Sequence, residues 1–153
     1  MRRVVIELDG VAVGAILQED RCPTLCGLFW EQLPYSSPVI HEMFSGRAFS
    51  TRNPLPIPDE VWTQFLFPRP GIEDQSFKTN MNPGDVVLYP GARTNKLCIS
   101  YGLAQFREGP AGPAYVNHLA TIDTTDLCFT AFMQKCAEVY TKGSKVVAFR
   151  RKE

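Results

Sequence analysis

Two nearly continuous apolar runs occupy the middle of the chain. Val86, Val87, Leu88 and Tyr89 form the first; Leu97, Cys98, Ile99 and Tyr101 form the second. Both are rich in β-branched and aromatic residues, which suit strands. Pro83-Gly84-Asp85 punctuates the start, Pro90-Gly91 ends the first run, and a short polar connection over 91–96 leads to the second. The pattern predicts two neighbouring antiparallel strands at the centre of a sheet or barrel.

The flanking segments carry their own periodicities. Val4, Ile6 and Leu8 alternate with Val5 and Glu7, then Asp9-Gly10 intervenes before a second apolar run to Gln18. Asp-Gly between apolar runs is a strong hairpin signal, because both turn residues tolerate positive φ. Strands are therefore expected at 3–8 and 11–18. Cys22-Pro23-Thr24 opens a helix with proline at a position whose missing N–H is not needed. Leu25, Leu28, Phe29 and Leu33 give it one apolar face, and Pro34 ends it. Strands follow at 37–44 and 47–51 around a Ser45-Gly46 turn. Residues 53–71 hold five of the twelve prolines and read as an irregular excursion, with a short helix or strand at most near 62–67. A strand at 77–81 feeds Asn82-Pro83-Gly84, a Gly/Pro loop spans 108–113, and another strand covers 115–122.

Asp123-Thr124-Thr125-Asp126 supplies capping chemistry for a second helix, whose apolar face is Cys128, Phe132, Cys136 and Val139. Gly143 stops it, and 144–150 forms the last strand. The expected core includes Val4, Ile6, Val87, Leu97, Ile99, Phe132 and Val147. About eight strands and two helices in this order exclude a doubly wound parallel sheet and fit either a sandwich or a closed barrel. With 153 residues, the chain reads as one domain over 1–153.

Charge narrows the partners. Sixteen Lys and Arg balance sixteen Asp and Glu. No basic stripe argues for nucleic acid, and Arg150-Arg151-Lys152 reads as a solvated end. No apolar run approaches the ~20 residues that span a bilayer. Met1-Arg2-Arg3 is followed by only three apolar residues before Glu7, too few for a signal peptide. No membrane association and a cytoplasmic location are expected. The five cysteines, at 22, 26, 98, 128 and 136, are expected as free buried thiols.

Several short motifs carry a resemblance. Gly84-Asp85-Val86, Pro90-Gly91 and Leu97-Cys98-Ile99-Ser100-Tyr101-Gly102, with Met43-Phe44-Ser45-Gly46-Arg47 upstream, resemble the core hairpin and aromatic-glycine turn of bacterial cyclophilin-like proteins, a branch of unknown function. The resemblance implies a mainly β, closed antiparallel cyclophilin-like barrel with two covering α-helices. It does not carry the prolyl isomerase site. That site needs a phenylalanine five residues after its arginine and a glutamine three further on. Arg47 has Phe49 two residues on and Arg52 five on, and Trp62 precedes the central hairpin instead of following it. Related barrels occur in enzymes acting on amide and urea-like substrates, but no motif here secures that chemistry.

The residues offer few candidates for chemistry. A two-residue turn at Ser45-Gly46 would set Glu42 opposite Phe49 and make Glu42 and Arg47 diagonal neighbours, with His41 on the other face. Such a pair is either a structural ion pair or leaves Arg47 holding a carboxylate or carbonyl at the barrel mouth, since guanidinium forms paired planar hydrogen bonds. The candidate ligand-binding residues are His41, Glu42, Arg47 and Tyr101. His118 ranks below His41, because nothing near it in the sequence supplies a partner. Cys22 and Cys26 with His41 would make only three metal ligands, so no metal site is expected, and no phosphate loop, dinucleotide motif or nucleophile elbow is present. No cofactor and no catalytic residue can be assigned.

The leading expectation is a barrel that binds, and in one variant processes, a small carboxylate- or amide-containing molecule at its mouth. The alternative is a non-catalytic oligomeric accessory protein; prolyl isomerisation ranks last. A homo-oligomer is expected with 62–77 in the interface, because Trp62, Phe65, Leu66, Phe67, Ile72 and Phe77 are many large apolar groups for a loop. A lid folded over the barrel end is the other reading of that segment.

Overall fold

The computed structural model describes residues 1–42 and 45–153. Met43 and Phe44, which belong to the expected aromatic-glycine turn and to the end of the strand before it, lie outside the described residues.

Among the described residues, nine strands and three α-helices follow in the order β1 (Arg3–Leu8), β2 (Val11–Leu17), α1 (Pro23–Glu31), β3 (Tyr35–His41), β4 (Gly46–Thr51), α2 (Asp59–Trp62), β5 (Phe77–Lys78), β6 (Asp85–Tyr89), β7 (Lys96–Ala104), β8 (Val116–Ile122), α3 (Phe129–Lys142) and β9 (Lys145–Arg151). All pairings are antiparallel. Eight strands run in the order β2-β1-β9-β3-β4-β7-β6-β8, and a β2–β8 pairing closes them into a barrel. Closure leaves no long unpaired edge. The remaining edge of β8 is shared: β2 pairs beside Ala120–Ile122 and the short β5 beside Val116 and Asn117. Among the described residues no helix is long and apolar enough to cross a membrane.

Local chemistry explains the elements. Asp9 and Gly10 both take positive φ, so Leu8 faces Val11 across a two-residue turn. Pro23 starts α1, whose buried residues Leu25, Cys26 and Phe29 face the interior. The helix expected after the acidic run 123–126 is α3, and it begins only at Phe129. Asp126 Oδ1 accepts from the Cys128 amide and Oδ2 from the Gly14 amide, each at 2.9 Å, which ties the approach to α3 onto β2. Cys128 is the N-cap and is exposed, so it leaves the apolar face to Phe132, Cys136 and Val139.

The barrel wall has two covered sides. Inside, Val4, Ile6, Leu97, Ile99, Phe132 and Val147 join one core, where Phe29 meets Phe149 edge-on at 5.5 Å. Val87 is equally buried but belongs to a second cluster, with Ala48, Met81, Cys98, Phe106 and Val116. Alternation along β6 and β7 puts it there: Val86 and Ile99 point inward, Val87 and Cys98 outward. The segment after β7 returns over this outer patch, burying Phe106 and Ala114.

The proline-rich excursion folds back on the barrel. Phe65 is 1% exposed, Trp62 donates its indole N–H to Asn95 Oδ1 at 3.1 Å, and Leu66 and Phe77 are half-buried. Only Phe67 and Ile72 of the six large apolar residues stand in solvent.

Candidate functional site

The β3–β4 register differs from the expected one by a single residue. His41, not Glu42, sits opposite Phe49, and the Glu42 amide donates to the Ala48 carbonyl at 2.9 Å. β3 ends at His41, β4 begins at Gly46, and the His41–Phe49 register does not fit a two-residue turn at Ser45-Gly46. Burial of Phe49 with Val39 in the core fixes the slip, and a slip of one reverses every side chain. His41 therefore shares the inner face with Phe49 and Ile99, while Glu42 faces outward with Ala48 and Ser50.

Glu42 and Arg47 are not partners. Glu42 Oε1 accepts from Lys96 Nζ at 2.7 Å and from the Ser50 hydroxyl. Lys96 also lies 5.3 Å from the Tyr89 ring centre and 5.5 Å from that of Phe106. The cation is thus held between a carboxylate and two aromatic faces.

His41 and Tyr101 do come together. The Tyr101 hydroxyl and His41 Nε2 are 2.7 Å apart, and the His41 ring sits 4.9 Å from Tyr140 of α3, edge to face. Burial pushes the His41 imidazole below its ordinary range, partly offset by the Glu42 charge. Burial likewise raises the Tyr101 hydroxyl, with the Arg47 charge pulling the other way. Both groups are neutral near pH 7 and share one proton along their hydrogen bond. His41 Nδ1 is buried and has no partner among the described residues.

Arg47 sits at a bulge. Gly46 faces Ala104 and Ala48 faces Ser100, so Tyr101, Gly102 and Leu103 together stand opposite Arg47 alone. A bulge re-aims the side chains around it. Gly46, at φ +118°, and Gly102 permit the close approach: a Cβ on Gly46 would fall 2.5 Å from the Leu103 carbonyl oxygen, and one on Gly102 would fall 2.5 Å from Arg47 Cδ. The Arg47 stem thus crosses Gly102 while the residue stays exposed. Beside the bulge, a hollow of about 540 Å³ is lined by Ser45, Asn80, Asn82, Leu103, Ala104 and Gln105.

His118 has the partners its sequence neighbours did not suggest. Its Nε2 lies 2.9 Å from the Thr121 hydroxyl and 3.4 Å from Asp85 Oδ1. Asp85 Oδ2 in turn accepts from Lys78 Nζ at 2.5 Å and from the Asn82 amide at 2.8 Å. Burial lowers the His118 imidazole, the Asp85 charge opposes this, and Lys78 reinforces it. Asp85 holds the Asn82-Pro83-Gly84 turn, and the readable part of this network is that local turn. The pairing of β6 with β8 that brings His118 in is long-range.

Cys22 and Cys26 lie against β8, whereas the His41 side chain bonds to Tyr101 of β7, so the three are not brought together. Among the described residues no group of three or more His, Cys, Asp or Glu side chains could hold a metal ion.

The architecture, a closed eight-stranded antiparallel barrel of cyclophilin-like form, agrees with the comparisons. The chain belongs to the family described as "Protein of unknown function (DUF3830)", which matches residues 4–150. No curated protein matches the chain. Two solved structures share the fold. McbB, whose structure was determined in complex with tryptophan, is 20% identical with a TM-score of 0.67 over 97% of this chain; the chain spans 44% of McbB, less than half its length. The hypothetical protein AF2241 from Archaeoglobus fulgidus is 16% identical with a TM-score of 0.58, covering 99% of this chain and 95% of AF2241.

Proposed function

We propose that this protein binds a small molecule carrying a carboxylate at the rim of the barrel where β3, β4 and β7 meet. The observation that carries the reading is the bulge at Tyr101, Gly102 and Leu103, which seats Arg47 across Gly102 beside the Tyr101–His41 pair. A guanidinium takes up a carboxylate through two parallel hydrogen bonds. Glu42 is engaged by Lys96, so it does not neutralise Arg47. Tyr101 and His41, both neutral, offer a hydroxyl and an imidazole to the rest of the ligand. McbB supports the choice of ligand class at the level of fold: its structure holds tryptophan, an amino acid with a carboxylate. The same reading takes the protein as cytoplasmic, on the sequence grounds given above. Any proton transfer to or from the bound molecule would fall to the hydrogen-bonded His41–Tyr101 pair.

Titration calorimetry against a panel of amino acids and simple carboxylates, L-tryptophan included, tests the reading. Binding should appear for at least one carboxylate, fall at least about tenfold in Arg47→Ala, the loss of one charge-assisted contact, and recover only partly in Arg47→Lys, which keeps the charge without the fork. A carboxylate that binds wild type and Arg47→Ala equally well sinks the proposal.

A further inference from the structure

A separate pair of reactive side chains lies beneath the excursion that follows α2. Cys22 is the N-cap of α1 and Cys26 stands one turn further on, with their sulfurs 3.8 Å apart. Both are buried, at 1% and 0% exposure. Cys22 has non-helical backbone angles, φ −138° and ψ 66°, so its side chain is not bound to the regular spacing of the helix. Its Sγ lies 3.4 Å from the carbonyl oxygens of Gln18 and His118, and Cys26 Sγ lies 3.7 Å from that of Leu119. The cover over this corner is held mainly by polar contacts. Asp74 Oδ1 accepts from the Thr24 amide at 3.2 Å, Gln64 Nε2 donates to the Asp74 carbonyl at 3.0 Å, and the Ser76 hydroxyl donates to the His118 carbonyl at 2.7 Å. Between them, residues 67–73 are all exposed. A segment with so few buried apolar contacts opens locally at small cost.

We propose that Cys22 and Cys26 form a redox-active dithiol that exchanges with low-molecular-weight disulfides and closes to an intrachain disulfide. The Cys22 thiolate attacks one sulfur of the disulfide RSSR; the S–S bond breaks and the first RS⁻ leaves, taking up the proton that Cys22 gave to solvent. Cys26 sulfur then bonds to Cys22 sulfur and expels the second RS group, which takes the Cys26 proton. The protein loses two electrons and two protons, and RSSR becomes two RSH. The roles follow from the surroundings. A hydrogen bond from Cys26 holds the Cys22 thiol below its ordinary range, with burial opposing and the Ser76 hydroxyl assisting. Cys26 is pushed up by donating that bond and by burial. Cys22 is the attacking sulfur and Cys26 the resolving one.

The experiment uses the full chain with Cys128→Ser, which removes the exposed thiol. It is incubated natively with oxidised glutathione, acid-quenched, alkylated under denaturing conditions and mapped by mass spectrometry. The expected product lacks both alkyl groups on the peptide holding Cys22 and Cys26 and has lost two hydrogens. Cys26→Ser should stop at a glutathione adduct on Cys22. Asp74→Ala should speed closure at least about fivefold, because it removes the carboxylate that accepts from the Thr24 amide and from Gln64 Nε2. The proposal is overturned if Cys22 and Cys26 stay fully alkylatable, if the adduct forms on Cys98 or Cys136 instead, or if Asp74→Ala leaves the rate unchanged.

Discussion

The side chain of Arg47 lies directly on Gly102: a Cβ at Gly102 would fall 2.5 Å from Arg47 Cδ and 2.8 Å from its Cβ. The exposed end of β4 is therefore positioned by the absence of a side chain on β7. Gly102→Ala should push Arg47 off the bulge. The crowding should cost about 1–3 kcal/mol, the usual range for overpacking. Carboxylate binding should weaken as in Arg47→Ala. Urea denaturation gives the first quantity and calorimetry the second. An alanine variant that keeps both stability and affinity would show that the guanidinium is placed by something other than this contact.

Much of the barrel is legible in the sequence because its signals are local. Asp9-Gly10 sets the β1–β2 register by itself, and the apolar runs at 86–89 and 97–101 declare the central pair. What is not legible depends on partners distant in the chain. Nothing between Glu42 and Lys96 indicates that they meet, although they are 54 residues apart and 2.7 Å distant. The register of β3 on β4 is decided by where Phe49 can be buried, and a turn read from Ser45-Gly46 alone misses it by one residue. His118 is the same case: Asp85 reaches it through the pairing of β6 with β8, where the register shifts after Val86. The pairing of His41 with Tyr101 needed β4 between them as well as the bulge in β7.

Glu42 is paired with Lys96 and not with Arg47, and this separates the two functionally. Glu42→Gln should leave carboxylate affinity within about twofold of wild type. It should lower stability by about 1–2 kcal/mol, between the values of exposed and buried pairs, because Lys96 loses its counter-charge while only a quarter exposed. A large rise in carboxylate affinity in this variant would mean that the Glu42 charge reaches the Arg47 site after all.

Acid should destabilise the fold through its two histidines. Burial puts both His41 and His118 below the ordinary value of 6.5. The unfolded chain then binds more protons than the folded one between 6.5 and the lowered values. The contribution is complete above 6.5 and is lost as pH falls through that window. Urea midpoints between about pH 7.5 and pH 5 should decline accordingly. His41→Gln and His118→Gln should each flatten part of the decline, while Asp85→Asn should steepen it by removing the charge that supports protonated His118. A midpoint independent of pH across this window would contradict the burial of both rings.

The excursion after α2 bears on self-association, and its side chains divide into two groups. Phe65 is in the core, so Phe65→Ala should cost about 3–5 kcal/mol of stability. Phe67 and Ile72 are about half and two-fifths exposed, and Arg69 lies 5.5 Å from the Phe67 ring. If this face pairs with a second copy, these two residues are the anchors, since exposed aromatics flanked by arginine mark interface centres. We propose that association, where it occurs, runs through them and not through Trp62, which is committed to Asn95. Light scattering at micromolar concentration should then return a multiple of 17.2 kDa for wild type and the single mass for Phe67→Ser with Ile72→Ser, at unchanged thermal stability. A wild-type mass of 17.2 kDa at every concentration would leave the segment as a cover over the barrel and the Cys22–Cys26 corner, with its two exposed residues in solvent.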